Sequence, residues 1–262
     1  MKKLAFRLLY SAGVVRLVAW LNRKRAVFIC YHGVTERETR HPNDRYGLHV
    51  RKDRFRSHLE YLQRHYRVIS LNDYLKASRA KQPLPEYAAV ITFDDGYRNF
   101  YTVAGPLLAE RKMAAAMFLI VDRVRQNGAP VGGTWADTDD EQYMSWSEIK
   151  QLAEKGVEFG SHTCTHRKLT ELAPDEVETE LRRSKEEISS ELRLPDLPLA
   201  YPYGFTSDSI ASVAKSLGYT CAITTETGFN DAATDFFKLR RVLVGDDDDV
   251  PAFATRLAGL TR

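Results

Sequence analysis

Short, nearly continuous apolar runs recur along the chain, with helix-length intervals between most of them. AVFICY (26–31), YRVISL (66–71), AAVITF (88–93), AAAMFLI (114–120), GVEFGS (156–161), PLAY (198–201), TCAITT (220–225) and KLRRVLV (238–244) are rich in β-branched and aromatic residues. Few of them alternate strictly between apolar and polar, which predicts strands buried on both faces, as in a parallel sheet. The intervening segments have helical spacing and readable ends. Ser145-Trp146-Ser147-Glu148 reads as a capping box, and Gly156 as the stop of the helix it opens. From Pro174 to Leu192, Val177, Leu181, Ile188 and Leu192 form one apolar stripe. A further helix spans 209–217 and closes at Gly218. Seven or eight β–α units in the roughly 240 residues after the first segment predict a closed or nearly closed β/α barrel, with a doubly wound open sheet as the alternative.

Length and charge refine this picture. The chain has 262 residues, 44% of them hydrophobic, enough for one large α/β domain. No repeat or linker divides it, so two units are expected: an N-terminal segment (1–25) and a catalytic domain (26–262). The formal net charge is +3, but Lys2, Lys3, Arg7, Arg16, Arg23, Lys24 and Arg25 precede residue 26 with no acid among them. The remainder carries a net −4. A basic, apolar segment on a mildly acidic body suits a membrane surface and argues against nucleic acid. Its apolar stretch, Leu8 to Leu21, is broken by Arg16 and is shorter than the roughly 20 residues of a span. The readings are an amphipathic helix packed on the domain, an interfacial membrane helix, or a secretory signal without a convincing cleavage site. Cys30, Cys164 and Cys221 form no disulfide framework and no CxxC pair, which fits a reducing compartment and excludes a thiolate zinc cluster. The expected location is cytoplasmic or peripheral on a membrane.

Either fold gathers ligand chemistry at the C-terminal ends of strands, and the polar clusters fall there. Tyr31-His32-Gly33 follows the first run, Asp94-Asp95-Gly96 the third, Ser161-His162-Thr163-Cys164-Thr165-His166 the fifth, and Tyr201-Pro202-Tyr203-Gly204 the sixth. Neighbours in extended chain point to opposite sides, so Asp94 and Asp95 need not share a job. His162 and His166 can reach one ligand if their segment is turned or helical. One carboxylate and two neutral imidazoles make a three-ligand set with positions left open, suited to zinc and also to iron, cobalt, nickel or manganese. The spare carboxylate can accept a proton from a water whose pKa a divalent cation brings toward about 7. The same positive charge keeps that carboxylate ionised despite burial.

ITFDDG, SHTCTH and YPYG, in this order and at strand ends, resemble the polysaccharide deacetylases, the NodB-homology domains of carbohydrate esterase family 4. The resemblance runs from about residue 26 to about residue 244, and its motifs are specific in combination. It implies a deformed (β/α)7 barrel that removes N-acetyl groups from the amino sugars of a polysaccharide, oligosaccharide or lipid-linked glycan with the help of a divalent metal, zinc first. It further implies that Asp94 is the catalytic base and that Asp95, His162 and His166 hold the metal. It also implies that the backbone N–H of Tyr203 helps to hold the oxyanion. Two positions depart from the family pattern. Ala200 stands where an arginine usually orients the catalytic aspartate, for which Arg240 or Arg241 is the expected substitute. No histidine follows His166 to protonate the leaving amine. His32, in a Tyr-His motif like that of the poly-N-acetylglucosamine deacetylases, is the expected acid.

Other residues carry blander expectations. His41, His49, His58 and His65 read as surface histidines, Asp246 to Asp249 as a solvated loop, and Cys164 as having no part in the metal set. Trp135, Trp146, Phe205 and Phe229 are candidates to line a sugar groove. Three rival functions are hydrolysis of another amide, such as a formyl group, a non-haem iron oxygenase, and a non-catalytic glycan-binding relic. An oxygenase site usually separates its two histidines, and the intact acid and histidine set argues against a relic.

Overall fold

The computed structural model describes residues 2–38, 44, 47–126, 129–130 and 142–260. The elements run α1 (Lys2–Ser11), α2 (Val14–Leu21), β1 (Ala26–Tyr31), β2 (Gly33–Thr35), β3 (His49–Arg51), α3 (Lys52–His65), β4 (Arg67–Val68), α4 (Leu71–Arg79), β5 (Ala88–Phe93), α5 (Gly105–Glu110) and β6 (Ala116–Leu119). They continue with β7 (Arg125–Gln126), β8 (Ala129–Pro130), α6 (Trp146–Glu154), β9 (Glu158–Ser161), α7 (Pro174–Leu192), β10 (Leu197–Ala200), α8 (Asp208–Ser216), β11 (Tyr219–Ile223), β12 (Phe229–Asn230), β13 (Val242–Leu243) and α9 (Val250–Leu257).

The main sheet has the order β11-β10-β9-β6-β5-β1, parallel throughout, with β12 antiparallel to the start of β1. Residues 236–244 join its two edges. Leu239 N–H donates to Ala222 and Thr224 N–H to Leu239 on the β11 side, while β13 pairs with β1 and Val244 N–H donates to Cys30. The sheet thus curls into a deformed β/α barrel, as the apolar runs predict. The closing segment also explains why KLRRVLV is not one strand. It serves one neighbour at Leu239 and another at Val242–Leu243, so it must cross between them. YRVISL is likewise cut to Arg67–Val68, because Ser70 accepts Asp73 N–H at 3.0 Å and starts α4 instead.

Alternate strand residues face the barrel interior and the helical shell. Phe28, Val90, Ala116, Phe118, Ala200, Cys221, Ile223 and Leu239 form the interior cluster, and Leu71, Tyr74 and Leu75 of α4 join it. α4 floors the barrel: Glu158, at the start of β9, accepts Leu71 N–H at 2.8 Å and Asn72 N–H at 2.9 Å, and Arg79 donates to Thr220 at the start of β11. Gly160 is required by this interior, since a Cβ there would lie 2.6 Å from the Phe118 ring. With the N-terminal ends of the strands stoppered, the open end is the C-terminal one.

Three expectations are corrected by the packing. His58 is buried, its ring stacked on Phe253 at 4.1 Å, and His49 is half-buried against Tyr97. The Asp246–Asp249 run is a connector with specific partners: Asp246 accepts from Arg51, Asp248 from Arg256, and Asp249 caps α9. Phe229 pairs with Val27 near the start of β1, at the end of the barrel remote from the polar clusters. His65 is exposed as expected, while His41 and Trp135 lie outside the described residues. The capping box at Ser145 forms as read, and Gly156 has φ 89° just past the helix.

Candidate active site

β5 ends at Phe93, and the ladder continues one step as Asp94 N–H donates to Tyr31 at 2.9 Å. Asp94 therefore keeps the inward phase of Val90 and Thr92. Its carboxylate meets Arg241, fully buried, in a two-pronged pair: Nη1 to Oδ1 at 2.7 Å and Nη2 to Oδ2 at 2.5 Å. The third prong, Nε–H, donates to Thr224 at 2.9 Å. The Cys30 thiol donates to Asp94 Oδ2 at 3.6 Å. Burial pushes the Asp94 carboxyl up, but Arg241 outweighs it and holds the group far below the usual carboxylate range. Of the two arginines expected to stand in for the one missing at Ala200, Arg241 is the one that reaches Asp94. Arg240, its neighbour, is turned outward toward Glu226.

Asp95 goes the other way because its backbone enters the left-handed region, with φ 73°. Its Oδ1 is buried without a hydrogen-bond partner and lies 3.6 Å from His162 Nε2 and 3.7 Å from His166 Nε2. The two Nε2 atoms are 3.2 Å apart. Burial, then the charge of Asp94, pushes the Asp95 carboxyl up to about 7, against a hydrogen bond from Tyr97.

His162 follows β9, its N–H donating to Leu119 at 2.8 Å. Nδ1–H donates to Ala200 O at 2.7 Å. A carbonyl only accepts, so the proton sits on Nδ1 and the lone pair of Nε2 faces Asp95. Burial lowers His162 to about 3 and also lowers His166, leaving both rings neutral near pH 7. The segment between them is a tight loop with Thr163 at φ 67° and His166 at φ 63°. Glu180 of α7 holds it, accepting Cys164 N–H and Thr165 N–H at 3.0 Å each and the Thr165 hydroxyl at 2.6 Å. Cys164 points its sulfur at Glu180 O rather than at the histidines.

Ligand atoms bound at about 2.0–2.2 Å in a tetrahedral set lie roughly 3.4 Å apart. The edges of the Asp95–His162–His166 triangle, 3.6, 3.7 and 3.2 Å, bracket that value. The His162 Nε2 lone pair faces His166 Nε2 across 3.2 Å, and both nitrogens lie beside an orphaned carboxylate oxygen, a donor set that a cation would satisfy. The residues present fit a divalent metal.

His32 lies on the other flank of Asp94, with ligand-capable atoms of Cys30, His32 and Asp94 all within 4.8 Å of one another. Its Nδ1 is buried without a partner, and burial lowers the ring to about 4. Tyr203 stands at φ 58°, its exposed ring 4.7 Å from that of His166. The next residue, Gly204, packs so closely on Thr225 that a Cβ would lie 2.0 Å from the hydroxyl. Phe205 is exposed beside it under Lys168, whereas Trp146 is packed against the core. The four polar clusters are therefore brought to one mouth of the barrel. Four of the eight non-glycine residues with positive φ among the described residues, Asp95, Thr163, His166 and Tyr203, stand there.

The model of the polysaccharide deacetylase family matches residues 81–222, over half of the chain. The chain belongs to this family. That makes the protein a hydrolase of the deacetylase type, acting on a non-peptide carbon–nitrogen bond. It is 25% identical over 273 residues to the poly-β-1,6-N-acetyl-D-glucosamine N-deacetylase of Escherichia coli. That match covers 88% of this chain but only 38% of the relative's length. Among solved structures, the Streptococcus pyogenes deacetylase PplD in complex with acetate superposes with a TM-score of 0.76 at 22% identity, over 89% of this chain and 98% of that one. IcaB from Ammonifex degensii gives 0.70 at 25% identity, over 90% and 97%. These neighbours share the deformed deacetylase barrel described above.

Three residues of the site carried no signal that was read from the sequence. Cys30 reaches Asp94 because Cys30 and Thr92 are paired across β1 and β5. Tyr97, within the Asp94 motif, stacks on Tyr143 at 5.0 Å beside Asp95. Glu180 is one of many acids on α7, and only the fold singles it out.

Proposed function

We propose that this deacetylase removes N-acetyl groups from the amino sugars of a polysaccharide, oligosaccharide or lipid-linked glycan, and that it does so with a divalent metal held by Asp95, His162 and His166. One observation carries the reading: an orphaned carboxylate oxygen faces two neutral imidazole nitrogens, and an ionised aspartate stands next to them. Zinc suits two nitrogens and one oxygen best. When bound, such an ion polarises the acetyl carbonyl and acidifies water.

The chain's own groups do the rest. Asp94 Oδ2, 3.7 Å from His162 Nε2, takes the proton of the attacking water. Arg241 keeps that carboxylate ionised and aimed until the moment of transfer. The backbone N–H of Tyr203, in a turn pinned by Thr225, donates to the oxygen on which negative charge develops. His32 returns a proton to the departing amine. Because burial keeps its ring neutral at rest, it acts as a relay from Asp94 rather than as a standing imidazolium. Acetate and a free amino sugar result. The exposed rings of Tyr203 and Phe205 offer apolar faces to a sugar beside the ligand set.

The test is acetate release from N-acetylated oligosaccharides, poly-β-1,6-N-acetyl-D-glucosamine first, by chelated and zinc-reconstituted protein. Activity should vanish on chelation and return with zinc. Asp94→Asn should keep the metal and lose at least about 10²-fold in turnover. His32→Ala should also lose about 10²-fold while metal affinity holds. Turnover that ignores the chelator would overturn the metal, and near-normal turnover in the His32 variant would remove it from the relay.

A further inference from the structure

Eight large apolar side chains are exposed among the described residues, and five of them, Leu4, Leu8, Leu17, Trp20 and Leu21, lie on α1 and α2. Two of the other three, Tyr203 and Phe205, belong to the site mouth. The five are 49–65% exposed. These helices already bury an inner face, with Val15 in the core and Leu9, Tyr10, Val18 and Ala19 packed against it. They are therefore apolar on the outside as well as the inside. Scattered surface leucines need no explanation, but five such residues in eighteen positions do.

Charge selects the occupant. No acid occurs before Glu36, while seven lysines and arginines precede Ala26. Arg7, Arg23 and Arg25 pair with Asp249, Glu86 and Asp231 of the body. Arg16 and Lys24 stand exposed on the segment, and the Arg23 guanidinium covers the Trp20 ring at 4.5 Å. Leucine is sparse among protein–protein hot spots. Leucine and tryptophan beside lysine and arginine are the composition of helices that lie in a lipid interface. α1 and α2 have ten and eight residues, so neither crosses a bilayer alone. As a pair they are long and apolar enough for a broken span, but they are bent by 72° at the Gly13 break and their inner face is already packed on the barrel body.

We propose that the outer face of α1 and α2 rests in the interface of an anionic lipid bilayer, with the leucines and Trp20 at the acyl boundary and Arg16 and Lys24 at the lipid phosphates. The barrel would then work at a membrane surface without spanning it. The inference is independent of the metal and of the sugar, and vesicle binding tests it without either.

Full-length protein is sedimented with vesicles of phosphatidylcholine alone and of phosphatidylcholine with phosphatidylglycerol, at low and high salt. Enrichment on the anionic vesicles, weakened by salt, is expected. Leu8→Glu/Leu17→Glu, at positions 62% and 59% exposed, should lower the bound fraction at least about tenfold with circular dichroism unchanged. Arg16→Glu/Lys24→Glu should lower it comparably on anionic vesicles only. Equal binding to both vesicle types, no binding to either, or binding indifferent to both double variants overturns the proposal. So does a solution dimer that Leu17→Glu dissolves, which would assign the face to a second copy of the chain.

Discussion

A buried carboxylate can act as the base proposed for Asp94 only if something keeps it ionised and aimed, and the Arg241 pair does both. Its fork matches the carboxylate bidentately while Nε–H is tied to Thr224, so the guanidinium cannot swing away. Arg241→Met should therefore do more than remove a contact. It leaves a buried charge uncompensated, a change that costs about 3–5 kcal/mol where such pairs have been broken. It also frees the Asp94 carboxyl to rise under burial, so the base is lost to protonation at higher pH. The expected outcome is a large fall in urea midpoint together with an acid limb of the rate profile displaced upward. Arg241→Lys should recover stability better than rate, because the charge returns without the fork. An unmoved acid limb in Arg241→Met would show that the arginine is only structural. This residue was half legible in the sequence. The alanine at position 200 says that an arginine must come from elsewhere, and the last apolar run offers two. Choosing between them needs the phase of the closing segment, in which Leu239 and Arg241 face inward and Arg240 outward. That phase is set by tertiary pairing with Ile223 and Ile29, which no local pattern records.

At the level of elements, the loop between β9 and α7 that carries His162 and His166 is held from outside. Two of its residues occupy left-handed backbone, each costing of order 1–3 kcal/mol, and must be compensated by their surroundings. Glu180 supplies three hydrogen bonds to that loop from the facing helix, and the Ser161 and Thr163 hydroxyls supply one each. Glu180→Ala should loosen the loop and lower zinc affinity about 10–100-fold, as loss of an outer support typically does. Competition with a chelating dye measures this, and circular dichroism separates it from unfolding. Affinity within about twofold of the parent would mean that the loop holds its shape alone. The strands that frame this loop were readable because they are central: β1, β5, β9 and β10 are buried on both faces, so composition announces them. β4 and β13 are shorter than the apolar runs that contain them for the complementary reason. Each is a short edge piece whose length is set by how much neighbour it meets, and the apolar residues beyond it are buried by helices or by the crossing chain.

The whole molecule closes through residues 236–249, and His58 ties down the far end of that segment. Nε2–H donates to Asp248 O at 2.7 Å, so Nδ1 is left to accept the Tyr31 hydroxyl at 3.2 Å, and Phe253 covers the ring. Protonating Nδ1 would turn it into a donor and leave the hydrogen of the buried Tyr31 hydroxyl without this acceptor. Burial, opposed by the Asp248 carbonyl and by the carboxylates of Asp248 and Asp246 and reinforced by Arg54, lowers the ring to about 4. The unfolded chain titrates this histidine near 6.5. Between those values the unfolded state binds the extra proton, so stability is intact above about 6.5 and falls as pH drops toward about 4. The share due to this one ring is on the order of 3 kcal/mol. His58→Gln keeps a donor and an acceptor but does not titrate. It should be less stable than the parent at pH 7.5 by about 1–2 kcal/mol, with the gap shrinking to nothing or reversing near pH 4.5. Urea midpoints for both proteins across that range read the difference directly, and the histidines of the site cancel because both proteins carry them. A gap independent of pH would show that His58 is not what makes the closed barrel sensitive to acid.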